Sequence, residues 1–472
     1  MNDSSEILAV SVPGFWSSLR EAVAGTSQDF TEGSIERAIL LLSVPMVLEM
    51  YMESLFGVVD IFWVAHLGPD AIATVGLTET ALTLLFVIAL GLGMGATAMV
   101  ARRIGEKHER AAAVVAAQTI LVGLLVSAII AIAGYSYAPE LLRIMGASAS
   151  VVRTGTGYTR TILTGSATIF LLFLINAIFR GAGDAATAMR ALWLANIVNI
   201  CLNPCLIFGV GPFPRLGVTG SAVGTTIGRG IGVAFQLWVL LSGRSRVQVG
   251  LSQIRVNLGV MVRLVRLSLN AIFQFFVQMA SWIAVVRIIA SFGSAAAAAN
   301  TLAIRIILFA ILPSWGMSNA AATLVGQNLG AGKPDRAERS VWRTGFYNML
   351  FLGGVGILFI AFAPRIIGWF TNDPAVASLA IIALRLMSCG YVSYAYGMVM
   401  TAAFNGAGDT ATPTVLNLIC FWLCQIPVAW VLAFRTSLGP SGAFIAVVLG
   451  DSLLAALGII LFRRGNWKQV SV

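Results

Sequence analysis

The chain has 472 residues, of which 58% are hydrophobic and only 11% are charged, and its mean hydropathy is +0.89. Soluble domains carry about 25% charged residues, so this composition excludes a soluble globular protein, excludes a disordered one, and indicates an integral membrane protein. The net charge of +10 is expected to arise from basic cytoplasmic loops rather than from a nucleic-acid-binding surface, and five cysteines and two histidines are too few for a disulfide framework or a zinc site.

Residues 1–34 are polar to amphipathic and lack the basic segment and apolar core of a cleaved signal peptide. We interpret them as a cytoplasmic N-terminal tail. Within this tail, residues 7–23 form either an amphipathic helix on the membrane surface or a disordered segment.

Twelve mostly apolar runs follow, each long enough to cross a bilayer as a helix of about 20 residues. Runs of this length exclude a transmembrane β-barrel, whose strands alternate in polarity over about ten residues. The predicted fold is therefore all-α, with twelve transmembrane helices. The runs are 38–64, 71–101, 112–137, 154–178, 186–210, 217–242, 264–291, 296–325, 340–363, 379–403, 411–435 and 440–462.

The chain also contains an internal duplication. Residues 179–184 read FRGAGD and residues 404–409 read FNGAGD, at an offset of 225 that recurs along an ungapped stretch. Six spans in each half give both halves the same orientation, related by an axis along the membrane normal. Further pairs at this offset are Gly68 with Gly293, Gly91 with Gly316, Gly105 with Gly330 and Gly165 with Gly390; near the end the offset is 222, pairing Gly217 with Gly439 and Gly220 with Gly442.

Two pseudo-symmetric six-helix bundles that face each other form a cleft near the membrane midplane, which is the geometry of a secondary transporter. Lysine and arginine cluster in every second loop and in the C-terminal tail, so the positive-inside rule places both termini in the cytoplasm. The predicted units are the tail 1–34, an N-lobe 35–243, a cytoplasmic connecting segment 244–263, a C-lobe 264–463 and a cytoplasmic tail 464–472.

The first span carries three carboxylates, Glu49, Glu53 and Asp60. Ionisable residues are costly inside a membrane and usually functional, and the spacing of these three places them along one face of a helix. A carboxyl group in such an apolar site can bind and release protons near neutral pH. Pro45 removes a backbone hydrogen bond one turn before Glu49 and supplies a bend point that would link protonation to helix shape.

A structural ion pair is the alternative role for each of these carboxylates. Arg229, Arg287 and Arg305 are the candidate buried arginines within other spans. We expect two further acids, Glu79 and Asp451, to pair locally or to lie near an interface.

The fifth span presents Asn196, Asn199 and Asn203, followed by Pro204. Asn199 and Asn203 are one turn apart, so both amides can point into one cavity and bind a carboxylate or a cation. The alternative is that these amides only hydrogen-bond between helices.

The seventh span presents Gln274 and Gln278, and the offset of 225 makes Gln278 the counterpart of Glu53. The acids of the predicted site therefore belong to the N-terminal half. Flat lipophilic cations bind well on aromatic faces, and the aromatic candidates for lining a cleft are Tyr51, Phe56, Trp63, Tyr394, Tyr396 and Trp422.

The sequence favours no enzymatic function. Residues 326–333 approach a phosphate-binding loop, but Gln327 replaces its first glycine and Pro334 replaces its serine or threonine. We predict no catalytic residue, no metal site and no cofactor other than the coupling ion.

Four short motifs are typical of one transporter family. They are Pro45 with DIFWVA at 60–65 and LG at 67–68, RGAGD at 180–184, NICLNP at 199–204, and GQNLG at 326–330 with Lys333 and Ala337. Through these motifs the chain resembles the multidrug and toxic compound extrusion (MATE) family over residues 35–465, and within it the DinF-like branch. The resemblance implies a V-shaped cleft between two lobes, efflux of organic cations in exchange for protons or sodium, Asp60 as the principal coupling carboxylate and Pro45 as the bend.

Some positions depart from the family pattern. Members of this branch often have an acid where this chain has Asn203, and sodium-coupled NorM-type members have acids in the seventh and tenth spans, where this chain has Gln278 and Tyr394. A hard cation prefers several oxygen ligands that include carboxylates, so these departures favour protons over sodium. Glu53 is an extra acid that can partly compensate.

We therefore predict a proton-coupled exporter of lipophilic organic cations, acting as a monomer in the bacterial inner membrane, with the lipid bilayer and small organic cations as its partners. The principal ion-coupling candidates are Asp60, Glu53, Asn199 and Asn203. The alternatives are a sodium-coupled drug antiporter and a lipid-linked precursor flippase of the same superfamily, and the scarcity of midplane arginines in the N-lobe argues against the flippase. Additional candidates for the substrate cleft are Glu49, Tyr51, Phe56, Asn196, Gln274, Gln278 and Tyr394.

Overall fold

The computed structural model describes residues 15–25, 28–250, 253–470 and 472, and these residues form helices, turns and loops without a β-strand. Ten helices are each long and apolar enough to cross a membrane, and two bent helix pairs complete a set of twelve spans. The predicted all-α fold with twelve membrane-spanning helices is confirmed.

The first six spans form the N-lobe around a core of large apolar side chains. Phe170, Leu174 and Ile178 of the fourth span are completely buried at the centre of this core. Preceded by α1 (Phe15–Ala24), the helices of the N-lobe are α2 (Ile35–Ala65), α3 (Pro69–Gly105), α4 (Glu109–Ile144), α5 (Ala149–Thr164), α6 (Ser166–Ala182), α7 (Ala185–Phe208) and α8 (Val218–Leu241).

The last six spans form the C-lobe, and its eleventh span changes from α-helix to π-helix and back. The seventh span begins at Leu258, six residues before the predicted position 264, so the last part of the predicted connecting segment 244–263 is helical. The helices are α9 (Leu258–Ala290), α10 (Ser294–Gly330), α11 (Pro334–Gly368), α12 (Pro374–Cys389), α13 (Tyr391–Ala407), α14 (Ala411–Asn417), a π-helix (Leu418–Gln425), α15 (Ile426–Phe434), α16 (Pro440–Arg464) and a 3₁₀-helix (Asn466–Gln469).

The fourth and tenth spans are each broken at one glycine of a predicted repeat pair. The helices meet at 41° at Gly165 and at 55° at Gly390. A Cβ atom on Gly165 would lie 2.7 Å from Thr226 Cγ2, and one on Gly390 would lie 3.1 Å from a methyl of Val448. Glycine is therefore needed where each bend brings the broken span against the last span of its own lobe.

The two lobes pack through the C-terminal halves of α3 and α10. A Cβ atom on Gly105 would lie 2.0 Å from the backbone oxygen of Gln327, and one on Gly316 would lie 2.9 Å from the backbone oxygen of Met46. Thr323 Oγ1 also donates a hydrogen bond across the interface to the Arg180 carbonyl at 3.0 Å. Because these halves lie at the end that holds both chain termini, the lobes are closed at that end.

The segment before α2 connects loops of both lobes at this closed end. Lys107, in the loop after α3, forms an ion pair with Asp29 at 3.2 Å. Lys333, in the loop after α10, donates to the Thr31 carbonyl at 3.1 Å. The N-terminal segment therefore bridges the N-lobe and the C-lobe through side chains of two basic loops.

The C-terminal tail makes a second bridge. Trp467 is fully buried in the C-lobe, whereas Arg103 of the N-lobe donates to the Val472 carbonyl at 3.1 Å. Lys468 pairs with Glu338 of α11 at 2.6 Å. The tail predicted at 464–472 is thus packed against protein.

The predicted surface helix at 7–23 is described only in its second half, because residues 7–14 lie outside the described residues. Phe15–Ala24 is helical. Ala22 is 1% exposed and joins the apolar cluster at the start of α2, and Glu21 pairs with Arg37 at 2.6 Å. This part of the segment therefore packs on the N-lobe.

Candidate functional site

The first component of the site is a polar network around Asp60, near the C-terminal end of α2. Asp60 is 4% exposed. Its Oδ1 accepts hydrogen bonds from Asn203 Nδ2 and from Ser221 Oγ, each at 2.7 Å. Asn199 lies one turn before Asn203, and their side chains hydrogen-bond to each other at 3.2 and 3.3 Å. The structure therefore brings together Asp60, Asn199 and Asn203, as the sequence predicted.

Ser221 and Thr225 of α8 complete this network, and sequence reasoning missed both. Asn199 Nδ2 donates to Thr225 Oγ1 at 2.9 Å. The available signal was the spacing of glycines around them, because small residues every fourth position let two helices approach closely. A Cβ atom on Gly224 would lie 2.3 Å from Asn203 Oδ1, and one on Gly228 would lie 2.6 Å from the Ala195 carbonyl.

Glu49 lies about three turns away from Asp60 and belongs to a different cluster. It is 2% exposed and accepts from Arg180 Nη1 at 2.8 Å and from Asn176 Nδ2 at 2.9 Å. Gln236 Nε2 in turn donates to Asn176 Oδ1 at 2.6 Å. The carboxylate is therefore held by a buried ion pair inside the N-lobe.

None of the three predicted arginine partners, Arg229, Arg287 and Arg305, pairs with Glu49 in the described structure. The partner is Arg180, which sequence reasoning singled out only as part of the RGAGD motif. Arg287 and Arg305 make no salt bridge with any residue that the structure describes. Glu79 is exposed and is likewise without a salt bridge in the described ranges.

Glu53 lies between these two clusters on the same helix. It is partly buried and makes no hydrogen bond or salt bridge within the described part of the chain. Arg229 of α8 is 8% exposed, and its Cζ lies 5.3 Å from the centre of the Phe56 ring. Arg229 thus supplies a buried positive charge on the side of the N-lobe that carries Glu53, with Phe56 beneath it.

Three of the predicted cleft residues lie in the C-lobe and do not join the Asp60 network. Gln274, Gln278 and Tyr394 line one cavity of about 240 Å³. By contrast, Asn196 of the N-lobe donates to the Met52 carbonyl at 3.2 Å, and Tyr51 is 44% exposed and does not line this cavity. The predicted site therefore separates into an N-lobe carboxylate network and a C-lobe cavity.

Pro45 lies inside α2, which continues through it as one helix. Its ring nitrogen cannot donate to the carbonyl one turn earlier, so the helix lacks one hydrogen bond there. The next residue, Met46, is the contact point of Gly316 across the lobe interface. The bend role of Pro45 stays a prediction, and the structure places that residue at a lobe–lobe contact.

Metal-type ligands are not clustered in the described residues: no group of three or more histidine, cysteine, aspartate or glutamate side chains could hold a metal ion there. The groups that hydrogen-bond directly to Asp60 are instead the neutral amide of Asn203 and the hydroxyl of Ser221. Such a shell can solvate an ionised carboxylate through donated hydrogen bonds and can also accommodate a neutral carboxyl group.

Comparison with known proteins adds three findings. The MatE family model matches residues 45–205 and again residues 271–431, one match in each half of the chain. Over 93% of its length the chain is 26% identical to a probable multidrug resistance protein NorM of Thermotoga maritima, covering 94% of that protein. It is also 23% identical to an FAD transporter of Shewanella oneidensis, over 91% of this chain and 95% of that one.

Solved structures agree with this relationship. The structure described as the outward-facing conformation of a multidrug resistance MATE family transporter superposes with a TM-score of 0.87 at 27% identity, over 94% of this chain and 99% of that chain. The duplicated match, the twelve spans in two lobes and the superposition together identify the chain as a member of the MATE family of membrane transporters.

Proposed function

We propose that the protein exports lipophilic organic cations in exchange for protons, and that Asp60 is the residue that binds the coupling proton. The observation that carries this proposal is a single carboxylate, 4% exposed, that joins three spans through neutral hydrogen-bond donors. An ionisable group at such a place in a membrane is costly, and a functional role accounts for it.

Protonation of Asp60 would change how α2 is held. In the ionised state Asn203 and Ser221 both donate to Oδ1, and hydrogen bonds to a charged acceptor are roughly twice as strong as neutral ones. A proton on Oδ2 removes the charge, so both bonds weaken together. The attachment of α2 to α7 and α8 would then depend on the protonation state of one side chain.

A change in α2 can reach the lobe interface through Pro45. That residue lies about four turns before Asp60 on the same helix, where a backbone hydrogen bond is missing. The adjacent Met46 backbone contacts Gly316 of the C-lobe. We propose that bending at Pro45 alters this contact and opens the closed end of the lobes.

The proposal of protons rather than sodium has a specific support in the hydrogen-bond pattern. Sodium would need several free oxygen ligands. The side-chain oxygens of Asn199 and Asn203 each already accept a hydrogen bond, and the nitrogen of Asn203 faces Asp60. A sodium ion at Asp60 Oδ1 would meet the Asn203 amide nitrogen, a hydrogen-bond donor that cannot serve as its ligand.

The flippase alternative has less support, although buried arginines are less scarce in the N-lobe than the sequence suggested. Arg180 and Arg229 are both largely buried in the N-lobe. Arg180 is bound to Glu49, and Arg229 lies over Phe56 on the side of Glu53. Because acids accompany both arginines, the N-lobe offers no free cationic cleft for a diphosphate group.

The test is transport in proteoliposomes with ethidium as the reporter cation. We expect a pH gradient alone to drive export by the wild type and Asp60→Asn to reduce that export by about tenfold or more. Glu140→Gln is the matched control, because Glu140 is a surface acid that pairs with Arg143 of the same helix. Transport that requires a sodium gradient, or Asp60→Asn transport at the wild-type rate, would contradict the proposal.

We further propose that the protein belongs to the DinF-like branch, acts as a monomer, and lies in the bacterial inner membrane with both termini in the cytoplasm. The orientation is supported by the basic loops at Lys107 and Lys333, which lie at the same end as the termini. Labelling of single cysteines placed in these loops, in sealed right-side-out vesicles, should fail until the membrane is permeabilised.

A further inference from the structure

The C-lobe contains an acid that the proposed proton pathway does not use. Asp451 is the twelfth residue of the 25-residue helix α16, so it lies near the middle of the last span. It was expected to pair locally or to lie near an interface; instead, Asp451 makes no hydrogen bond or salt bridge with any of the described residues and lies well inside the span. It is partly buried and faces a cavity rather than a loop.

Asp451 lines two adjoining cavities of about 240 and about 490 Å³, which share part of their walls. Their combined size is in the range of small-molecule sites. Gln274 lines the smaller cavity, and its buried Oε1 has no hydrogen-bond partner among the described residues. The shared wall is mainly aromatic and aliphatic and contains Phe275, Gln278, Trp315, Tyr394 and Phe421.

This combination matches the chemistry of a lipophilic cation. Aromatic faces attract a positive charge through their quadrupole, and an unpaired carboxylate in a mainly apolar cavity supplies the compensating negative charge. An uncharged or anionic ligand would leave Asp451 unpaired or repel it. The free acceptor Oε1 of Gln274 likewise favours a ligand that is positively charged or donates a hydrogen bond.

The internal duplication also supports a cation-binding role for Asp451. Gly217 and Gly439 both precede the last span of their lobe with nearly the same backbone angles, φ 60° and 54°, and they are 222 residues apart. The same offset pairs Arg229 of α8 with Asp451 of α16. The N-lobe therefore carries a positive charge at the position where the C-lobe carries a negative one.

The two lobes therefore differ in the charge that they present at equivalent positions. In the N-lobe, Arg229 is a resident cation on the side of Glu53, with its guanidinium over Phe56. In the C-lobe, none of the described arginine or lysine residues lines the two cavities that contain Asp451. The negative charge of Asp451 can therefore be neutralised by a cationic ligand that enters these cavities.

We propose that Asp451, together with the aromatic wall formed by Trp315 and Tyr394, binds the positive charge of the exported organic cation. This inference rests on the proposed export of such cations and adds the location of the cation. Substrate and coupling proton then bind in different lobes, Asp451 holding the former and Asp60 the latter. Binding of the cation does not require direct displacement of the proton from Asp60.

The test is equilibrium binding of tetraphenylphosphonium to the purified full-length protein in detergent. We expect Asp451→Asn to weaken binding by about tenfold or more, because an isosteric amide removes the charge and little else. Asp451→Glu should recover most of the affinity. Asp60→Asn, in contrast, should bind the probe with nearly wild-type affinity while losing transport driven by a pH gradient.

Other outcomes separate this inference from the proposed function. Wild-type protein that neither binds nor transports organic cations would overturn both. Wild-type transport of ethidium with unchanged tetraphenylphosphonium affinity in Asp451→Asn would overturn only the C-lobe site. A variant that keeps the affinity but changes the number of protons exchanged per cation would make Asp451 a second proton site, which also overturns the inference. Thermal unfolding curves that match the wild type verify that each variant is folded.

Discussion

The buried ion pair between Glu49 and Arg180 gives a prediction about stability that depends on geometry alone. Glu49 is 2% exposed and the Arg180 side chain is 13% exposed, with 2.8 Å between their closest atoms. Removing one partner of a buried pair costs about 3–5 kcal/mol, because the other charge stays buried without compensation. Since Arg180 retains some contact with water and Asn176 still donates to Glu49, we expect Arg180→Met to cost about 3 kcal/mol.

The double variant Glu49→Gln with Arg180→Met removes both charges and keeps the side-chain volumes similar. Replacing a complete buried pair by neutral residues is often close to neutral, so most of the lost stability should return. The assay is a double-mutant cycle of thermal unfolding in detergent. Additive effects of the two substitutions, with no recovery in the double variant, would refute the reasoning that the two charges depend on each other.

Three more predictions follow from contacts outside that pair. Gly105→Ala places a Cβ atom 2.0 Å from the Gln327 oxygen, so the two lobes must move apart at this contact. Spin labels on cysteines that replace Lys107 and Lys333 should therefore report a longer distance between the lobes than in the wild type. Burial raises the pKa of Asp29, but hydrogen bonds from Thr31 and Lys107 outweigh it and lower the pKa to about 2. The ionised Asp29 therefore stabilises the fold by less than about 1 kcal/mol, because the pair is exposed; this stabilisation is present above the ordinary pKa of 3.8 and is lost as the pH falls through about 2. Asp29→Asn should remove this loss of stability at acid pH from curves of unfolding against pH. Gly224→Ala, crowding the amide of Asn203 at 2.3 Å, should lower pH-driven transport of ethidium without weakening tetraphenylphosphonium binding.

Sequence reasoning was most accurate where all the necessary information was local. Asn199 and Asn203 are one helical turn apart, so their meeting follows from α-helical geometry. The placement of Asp60 on an inward face follows from the cost of exposing a carboxylate to lipid. These two local arguments together predicted the centre of the N-lobe network, with the exception of Ser221 and Thr225.

The reasoning was wrong where the deciding contact joins distant parts of the chain. Arg180 lies 131 residues after Glu49, and no periodicity in one helix indicates which side chain of another will face it. Asp451 was expected to pair locally or to lie near an interface, although it met the same criterion as Asp60, an isolated acid in the middle of an apolar run. Applying that criterion equally to both halves would have identified Asp451 as a candidate.

The sequence by itself determined the membrane class, the twelve spans and the two-fold repeat, because each depends on composition, run length or self-similarity along the chain. Only the tertiary structure decided which carboxylates are paired and which are free. Whether Glu49 faces an arginine and Asp451 faces a cavity depends on how helices rotate and approach one another. That approach is set by glycines such as Gly224 and Gly316, whose missing side chains act only when a second helix is present.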